Sequence, residues 1–544
     1  TTLQPHPNRT PPAGPVVCLV LDGVGIGRHD DSDAVFLAHT PTLDWLATLP
    51  SATSILAHGR AVGMPSDADM GNSEVGHNAL GAGRVFDQGA KLVAESIASG
   101  RLFEGAVWAE SVARVQASGQ PLHFLGLLSD GNVHSHIDHL LAMVREAARQ
   151  RVPAIRIHIL TDGRDVDGRS ALRFIDRLEQ TLAEVRDSGV DAKIASGGGR
   201  MWLTMDRYEA EWAMVARGWE THVHGQGRRF GSAREAVETL YAEDPSVDDQ
   251  YLPAFVIADD AGPVGLIRDG AAVVFFNFRG DRGLEISRAF EDEEFTAFDR
   301  GVRPDVLYAG MMQYDGDLHV PRRFLVEPPQ IDETMGELLA ATGKRQLALA
   351  ETQKYGHVTY FWNGNRTDPF DPALETYVEV PSDVVPFDQR PWMKAAEVTD
   401  TLIEQLTRAP VDFARVNYAN GDMVGHTGDI DATRIAVEAV DLCVRRLVPV
   451  IRRLHGVLVV TADHGNADLM FDLKADGSRN VRTSHSLNPV GLSIFDPSQP
   501  GEGPRLRPPG EAEAFGLANV AATCLELMGL RAPASYQRSL LAPT

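Results

Sequence analysis

The stretch DADMGNSEVGHNALGAGR, Asp67 to Arg84, contains one serine, Ser73, just ahead of a segment that can form a helix. A serine in that position either caps the helix or serves as a nucleophile, and a hydroxyl needs an activator to attack at neutral pH. Candidate activators lie far away in sequence. NGDMVGH spaces Asp422 and His426 at i, i+4, on one face if the segment is helical. Carboxylate plus imidazole suits a borderline divalent ion such as Mn²⁺ or Zn²⁺. TADHGNAD supplies Asp463 and His464 straight after an apolar run. Neighbours on a strand point to opposite faces, so joint ligation requires the turn that Gly465 allows. RTSHSLNPV adds His485, and PVVCLVLDG runs into Asp22. LDGVGIGR fails as a dinucleotide fingerprint because Arg28 stands in the third glycine position. Asp22 is then a metal ligand, a catalytic acid or a turn-forming residue. Jointly, three carboxylates and three imidazoles near strand ends or turns suffice for two metal ions.

A second set of residues asks for an anion. LTDGRDVDGRS pairs Arg164 with Asp165, SGGGRMWLTMDRY gives Arg200 and Arg207, and FNFRGDRG gives Arg279 and Arg282. Guanidinium forks match carboxylate and phosphate oxygens two at a time. Lys354, in ETQKYGHVTYFWNG, adds a point charge for phosphate. SDGNVHSHIDH looks like a zinc cluster, but HxHxxH alone is not a reliable zinc pattern. His136 and His139 read as first-turn residues of a helix, and His134 as an anion contact.

These residues sit at the ends of short apolar runs. PVVCLVLDG, DFARVNYANGD and HGVLVVTADH read as buried parallel strands ending in acids, and VPAIRIHILTDGRD and GAAVVFFNFRGDR as two more strands. Helical patterns lie between them. Ala436, Val440, Val444, Leu447 and Ile451 form one apolar stripe, in which Pro449 is expected to bend or end the helix. Alternation of strands and helices predicts an α/β protein with mostly parallel sheets, whose chemistry gathers at the carboxyl ends of strands. Acid and imidazole motifs lie near both chain ends and arginine motifs fill the middle. The simplest plan joins residues 1–87 and 329–544 into one domain and inserts 88–328 as a second. The crossings fall near Gly81 to Ala90 and near Phe324 to Gln330.

The chain of 544 residues is too long for one ordinary core, and its formal charge of −24 argues against nucleic acid or a membrane surface as the main partner. Arginines clustered in so acidic a protein point instead to a small anionic ligand. Cys18, Cys443 and Cys524 form no CxxC and read as buried apolar residues in a reducing compartment. No apolar run reaches the roughly 20 residues of a membrane span. The N-terminal TTLQPHPNRTPPAGP lacks a signal-peptide core and reads as a flexible lead-in; SQPGEGPRLRPPGE reads as a surface loop. The expected compartment is the cytoplasm.

Taken in order, LDGVG, MGNSEVGH, LLSDGNVHSH, TDGRDV, GGRMWLTMDRY, FNFRGDR, KYGHVT, NGDMVGH and ADHGNAD resemble the motifs of the cofactor-independent phosphoglycerate mutases, in the alkaline-phosphatase superfamily. GGGRMWLTMDRYEAEW and FWNGNR are similar to the longer, plant-like branch. The resemblance implies an alkaline-phosphatase-like metal domain with a mostly parallel sheet and an inserted α/β domain. It implies interconversion of 3-phosphoglycerate and 2-phosphoglycerate without added bisphosphoglycerate. By position, Ser73 resembles the phosphorylated serine. Asp422, His426 and His485 resemble the ligands of one Mn²⁺, and Asp22, Ser73, Asp463 and His464 those of the other; Zn²⁺, Co²⁺ or Mg²⁺ also suit such sets. His134, Arg164, Asp165, Arg200, Arg207, Arg279, Arg282 and Lys354 resemble the substrate contacts. The C-terminal QRSLLAPT departs from the commoner ending.

The mechanism these roles imply runs through phosphoserine. Ser73 takes the phosphoryl group with Lys354 offsetting charge, bound glycerate reorients, and its other hydroxyl recovers the group. Asp165 serves as acid and base for the glycerate hydroxyls. The inserted domain closes to exclude water, and a monomer is expected. A metal-dependent phosphohydrolase is the alternative.

Overall fold

The computed structural model describes every residue of the chain except 65, 87, 88, 208, 317, 329 and 509–513. It divides into two compact units, Thr1–Asp87 with Pro329–Thr544, and Gln88–Pro328. The boundary positions Asp87, Gln88 and Pro329 lie outside the described residues, as do residues 509–511 of the loop after Phe495.

In the discontinuous unit a seven-stranded sheet runs in the order Glu375–Val380, Gln346–Glu351, Phe413–Tyr418, Val16–Leu21, Val457–Thr461, Val490–Phe495, Ala52–Ile55. The first five strands are parallel, and only Val490–Phe495 runs against its two neighbours. The central strand shows why such runs are continuously apolar. Val16, Cys18 and Val20 enter the core on one face, Val17, Leu19 and Leu21 the core on the other. In the Gln88–Pro328 unit the order is Leu307–Gly310, Ala272–Phe275, Leu122–Leu128, Ala154–Thr161, Asp191–Gly199, Phe255–Asp259, Arg228–Phe230, with Gly262–Pro263 paired to Phe255–Asp259. This sheet is again mostly parallel, with Asp191–Gly199 and Phe255–Asp259 antiparallel. The α/β class follows directly from the apolar runs.

Two local expectations need correction. The helix Ile430–Leu454 does not stop at Pro449. Val444, Leu447, Val450 and Ile451 are buried around it, and that packing outweighs the lost backbone hydrogen bond. The N-terminal segment is not a loose lead-in. Leu3 is buried, Pro5 bridges Leu530, Arg531 N–H donates to the Gln4 carbonyl at 2.8 Å, and Arg9 pairs with Glu526 at 3.1 Å. Burying Leu3 and pairing Arg9 repays the ordering of a segment whose composition reads as loop. All three cysteines are buried and free. Among the described residues no helix is long and apolar enough to cross a membrane.

Candidate metal centre and arginine cluster

Four neighbouring parallel strands of the seven-stranded sheet deliver the first site from their carboxyl ends. Gln346–Glu351 leads into the helix Thr352–Gly356 with Lys354, Phe413–Tyr418 into Asn420–Gly425 with Asp422, Val16–Leu21 into Asp22, and Val457–Thr461 into Asp463 and His464. Asp422 and His426 do share a helical turn. Ser73 opens the helix Ser73–Ala82, but it is not the cap: Asn72 accepts the Val75 N–H at 2.9 Å. Ser73 is the first helical residue, so its hydroxyl is released from capping and sits at the positive end of the helix dipole. Gly76 lets that helix approach the centre, since a Cβ there would stand 2.9 Å from the Asp463 carbonyl oxygen.

Ser73, Asp22, Lys354, Asp422, Asp463 and His464 are all buried. Ser73 Oγ donates to Asp22 at 3.2 Å, accepts from Lys354 Nζ at 2.8 Å, and lies 3.0 Å from His464 Nε2. Lys354 Nζ also contacts Asp422 at 2.7 Å and Asp22 at 3.2 Å. The lysine expected to contact phosphate and offset its charge is also the cation that bridges two carboxylates and the serine. His426 Nε2 and His485 Nε2 stand 3.1 and 3.0 Å from Asp422 Oδ1 and 3.2 Å from each other.

At His426 and His485 the protons are placed as a cation would require. His426 Nδ1–H donates to the Thr483 carbonyl and His485 Nδ1–H to the Gly71 carbonyl, at 2.6 and 2.9 Å. In their neutral forms both Nε2 lone pairs then point at one another and at a carboxylate oxygen, which is repulsive until a positive ion lies between them. Asp22 and Asp422 are held well below the usual carboxylate range. Burial, which would raise them, is outweighed at Asp22 by Lys354 and at Asp422 by His426 and Lys354. Asp463 goes the other way, pushed well up by burial and by Asp22, and its Oδ2 has no hydrogen-bond partner among the described residues. Asp422, His426 and His485 converge closely enough for one ion. So do Asp22, Asp422 and His464, and Asp22, His77 and Asp463.

Sequence reasoning missed three members of this centre. His77 Nδ1–H donates to the Ser73 carbonyl at 2.7 Å, and burial holds the ring neutral, with a pKa near 3. Its Nε2 accepts from Asn417 Nδ2 at 3.2 Å, and the same amide donates to Asp22 Oδ2 at 2.7 Å. Asn466 Nδ2 donates to Asp422 Oδ1 at 3.0 Å. The i, i+4 spacing of Ser73 and His77 was the available signal; nothing local marked Asn417.

The second site lies in the Gln88–Pro328 unit. Arg200 is buried and donates to Asp162 at 2.9 Å, to Asp165 at 2.7 Å and to His134 Nε2 at 2.9 Å. Asp281 holds Arg279 at 3.0 Å and Arg207 at 3.5 Å. Arg282 donates to the Met205 carbonyl at 2.7 Å. Burial and then Arg200, Arg279, Arg282 and Arg207 push His134 well down, so it is neutral among four guanidinium groups. Arg282 itself is lowered to about 10 by burial and Arg207. Arg164 is exposed, yet near enough for its charge to act on Arg282. The other predicted contacts of this unit gather here; their counter-ions, buried Asp162 and half-buried Asp281, were not foreseen. His136 caps the helix Ile137–Arg149, accepting the Asp138 N–H, and His139 lies in its first turn.

Residues 14–532 match the Metalloenzyme superfamily model. The chain is 54% identical over 536 residues to a probable 2,3-bisphosphoglycerate-independent phosphoglycerate mutase of Leptospira interrogans, covering 97% of each. It is 50% identical to the 2,3-bisphosphoglycerate-independent phosphoglycerate mutase of Trypanosoma brucei brucei, covering 99% of each. It is 48% identical to an Arabidopsis thaliana counterpart, over 99% of this chain and 98% of that one. A solved structure of Leishmania mexicana phosphoglycerate mutase at low cobalt concentration matches over 100% of both chains, with 48% identity and a TM-score of 0.62. On these matches the chain belongs to the 2,3-bisphosphoglycerate-independent phosphoglycerate mutases of the Metalloenzyme superfamily.

Proposed function

We propose that this chain interconverts 3-phosphoglycerate and 2-phosphoglycerate through a phosphoserine at Ser73, with two divalent cations, Mn²⁺ by preference. Asp422, His426 and His485 would hold one, and Asp22, Ser73, Asp463 and His464 the other. The observation that carries the reading is the buried Ser73 hydroxyl, in contact with Asp22, Lys354 and His464 beside lone pairs that face one another. When bound, such cations lower the pKa of a hydroxyl and offset phosphoryl charge. The unit of residues 1–87 and 329–544 supplies the nucleophile, and the unit of 88–328 the anion contacts.

Ser73 Oγ, its proton released to solvent, attacks phosphorus, the bond from phosphorus to the glycerate oxygen breaks, and Lys354 offsets the charge spread over the phosphoryl oxygens. Asp165, 2.7 Å from Arg200, gives the departing glycerate oxygen a proton and later takes one from the other hydroxyl. His134, neutral, and Arg164, Arg200, Arg207, Arg279 and Arg282 hold carboxylate and phosphate. The arginine cluster favours the mutase over a phosphohydrolase, which has no need to retain glycerate. A cytoplasmic monomer is part of the proposal, and the free cysteines suit a reducing compartment.

Mass spectrometry of the Mn²⁺-loaded enzyme mixed with 3-phosphoglycerate should find phosphate on Ser73, and Ser73→Ala should lack both phosphoenzyme and isomerisation. A fully active Ser73→Ala enzyme sinks the mechanism.

A further inference from the structure

The Gln88–Pro328 unit contains a buried chain of polar groups that neither the arginines nor His134 explain. It crosses three neighbouring strands. His123 Nδ1 lies 2.9 Å from His158 Nε2, and His158 Nδ1 lies 2.6 Å from Ser196 Oγ. Ser196 Oγ lies 2.7 Å from His222 Nδ1, at the end of the helix Trp212–His222. His222 Nε2 ends the run 3.1 Å from Thr204 Oγ1. All five residues are buried.

The chain has a direction. Burial keeps all three imidazoles neutral, with His123 and His222 lowered to about 3 and His158 well down. Each ring therefore has one N–H and one lone pair. His123 Nε2 has no hydrogen-bond partner among the described residues. An orphaned N–H is the rarer burden in a protein interior, so that atom carries the lone pair and His123 Nδ1 the proton. Every later bond is then fixed: His123 donates to His158, His158 to Ser196, Ser196 to His222, and His222 Nε2–H to Thr204 Oγ1.

Thr204 is where such a bond matters. It is a β-branched residue at φ 68°, which side chains of that kind rarely adopt. Met205 N–H donates to the Leu203 carbonyl across it at 2.7 Å, the i to i+2 bond of a strained γ-turn. Thr204 N–H is held by the Met214 carbonyl at 2.9 Å, and Gly218 leaves room for the hydroxyl, since a Cβ there would stand 2.0 Å from Oγ1. On one side of this turn stands Arg200; on the other, Met205 offers its carbonyl to Arg282 and Arg207 follows.

We propose that Thr204 is a positioning residue for phosphoglycerate binding, latched by the His123–His158–Ser196–His222 chain so that Arg200, Arg207 and Arg282 are presented in one arrangement. Strain at the turn alone would let the loop relax and spread the guanidinium groups. The hydroxyl bond, backed by a run that cannot reverse its polarity without burying an orphaned N–H, holds it. The inference rests on the substrate role proposed for the arginines.

The test compares Thr204→Val, Thr204→Ser and Ser196→Ala with the unaltered Mn²⁺-loaded enzyme. Valine keeps the branched shape but leaves His222 Nε2–H without an acceptor, so KM for 3-phosphoglycerate should rise about tenfold with a smaller change in kcat. Serine keeps the acceptor and should stay within about twofold. Ser196→Ala cuts the chain without touching the loop, and should raise KM about threefold. Amide exchange of residues 199–207 should quicken in the valine and alanine variants. Unchanged KM and exchange in both would overturn the latch, and if the valine variant does not fold, Ser196→Ala decides by itself. Arg207→Ala separates the two readings. An unchanged KM in that variant removes the substrate role, while the exchange rates still judge the latch.

Discussion

Glu285→Gln should stabilise the protein at neutral pH, although it removes an ionisable group from the surroundings of a polar site. Glu285 lies in the first turn of the helix Leu284–Glu291 and is 2% exposed. Burial, with the Asp206 and Glu209 carboxylates beside it, raises its pKa from 4.5 to about 9. The folded protein therefore keeps a proton that the unfolded chain gives up. Below pH 4.5 both states hold it and the raised pKa costs nothing. From there to about pH 9 stability falls by about 1.4 kcal/mol per pH unit, because only the folded state is protonated. At pH 7 the accumulated cost is about 3 kcal/mol, a ceiling if water reaches the site. Glutamine matches the neutral acid in shape and cannot ionise. The assay is urea unfolding of both proteins at pH 5, 6, 7 and 8. Groups common to the two cancel, so the difference isolates Glu285. It should grow with pH in favour of the variant by about 1.4 kcal/mol per unit. A difference that is flat with pH, or that favours glutamate, refutes the reasoning, because it means that Glu285 is ionised in the folded protein.

Two more outcomes are expected at the metal centre. Asn417→Leu removes the donor to Asp22 Oδ2 and to His77 Nε2, and should weaken activation by Mn²⁺ by about 10- to 100-fold; a variant with unaltered Mn²⁺ dependence shows that Asp22 is oriented without it. Chelation should lower the melting temperature, because ions at about 100 times Kd add about 2.7 kcal/mol per site, several degrees for a unit of this size. No shift on readdition of Mn²⁺ contradicts the two-ion centre.

What the sequence makes legible here is set by how far each signal reaches along the chain. Val16–Leu21 announces itself because both faces are buried, and the acid after it announces a strand end. Asp422, Asp22 and Asp463 could be assigned to strand ends of one domain for that reason, although 441 positions separate the outermost pair. Asn417 is different. It lies inside a strand of the core and its amide serves two residues more than 300 positions away. A polar residue in a buried strand says that it must find partners, not which ones. Asn72 and Ser73 show the same limit at short range, since both residue types cap helices and only the backbone settles which one does. A helix end at Pro449 and a loose N-terminal segment fail in another way: tertiary packing overrode a local rule that was correct by itself. The order of the His123–Thr204 chain was beyond reach, because its direction depends on one ring atom that lacks a partner.

The acidity of the whole protein and its arginine cluster are less opposed than the total suggests. Exposed carboxylates more than about 8 Å away are largely screened at physiological salt. Buried groups are not, so the local count decides. Arg200 is matched by Asp162 and Asp165, and Arg279 and Arg207 share Asp281. Among the described residues Arg282 has the Met205 carbonyl as its hydrogen-bond partner, and burial together with neighbouring guanidinium groups lowers its pKa. Asp281 offsets the Arg282 charge in part, and an anion bound nearby relieves the rest. Glu285, three residues further on, would offset it instead if ionised. Burying that acid so that it stays neutral costs stability at pH 7, and it leaves the positive field of the cluster for a ligand. The stabilising Glu285→Gln substitution should therefore leave the binding of phosphoglycerate intact, whereas an ionised residue 285 would compete with it.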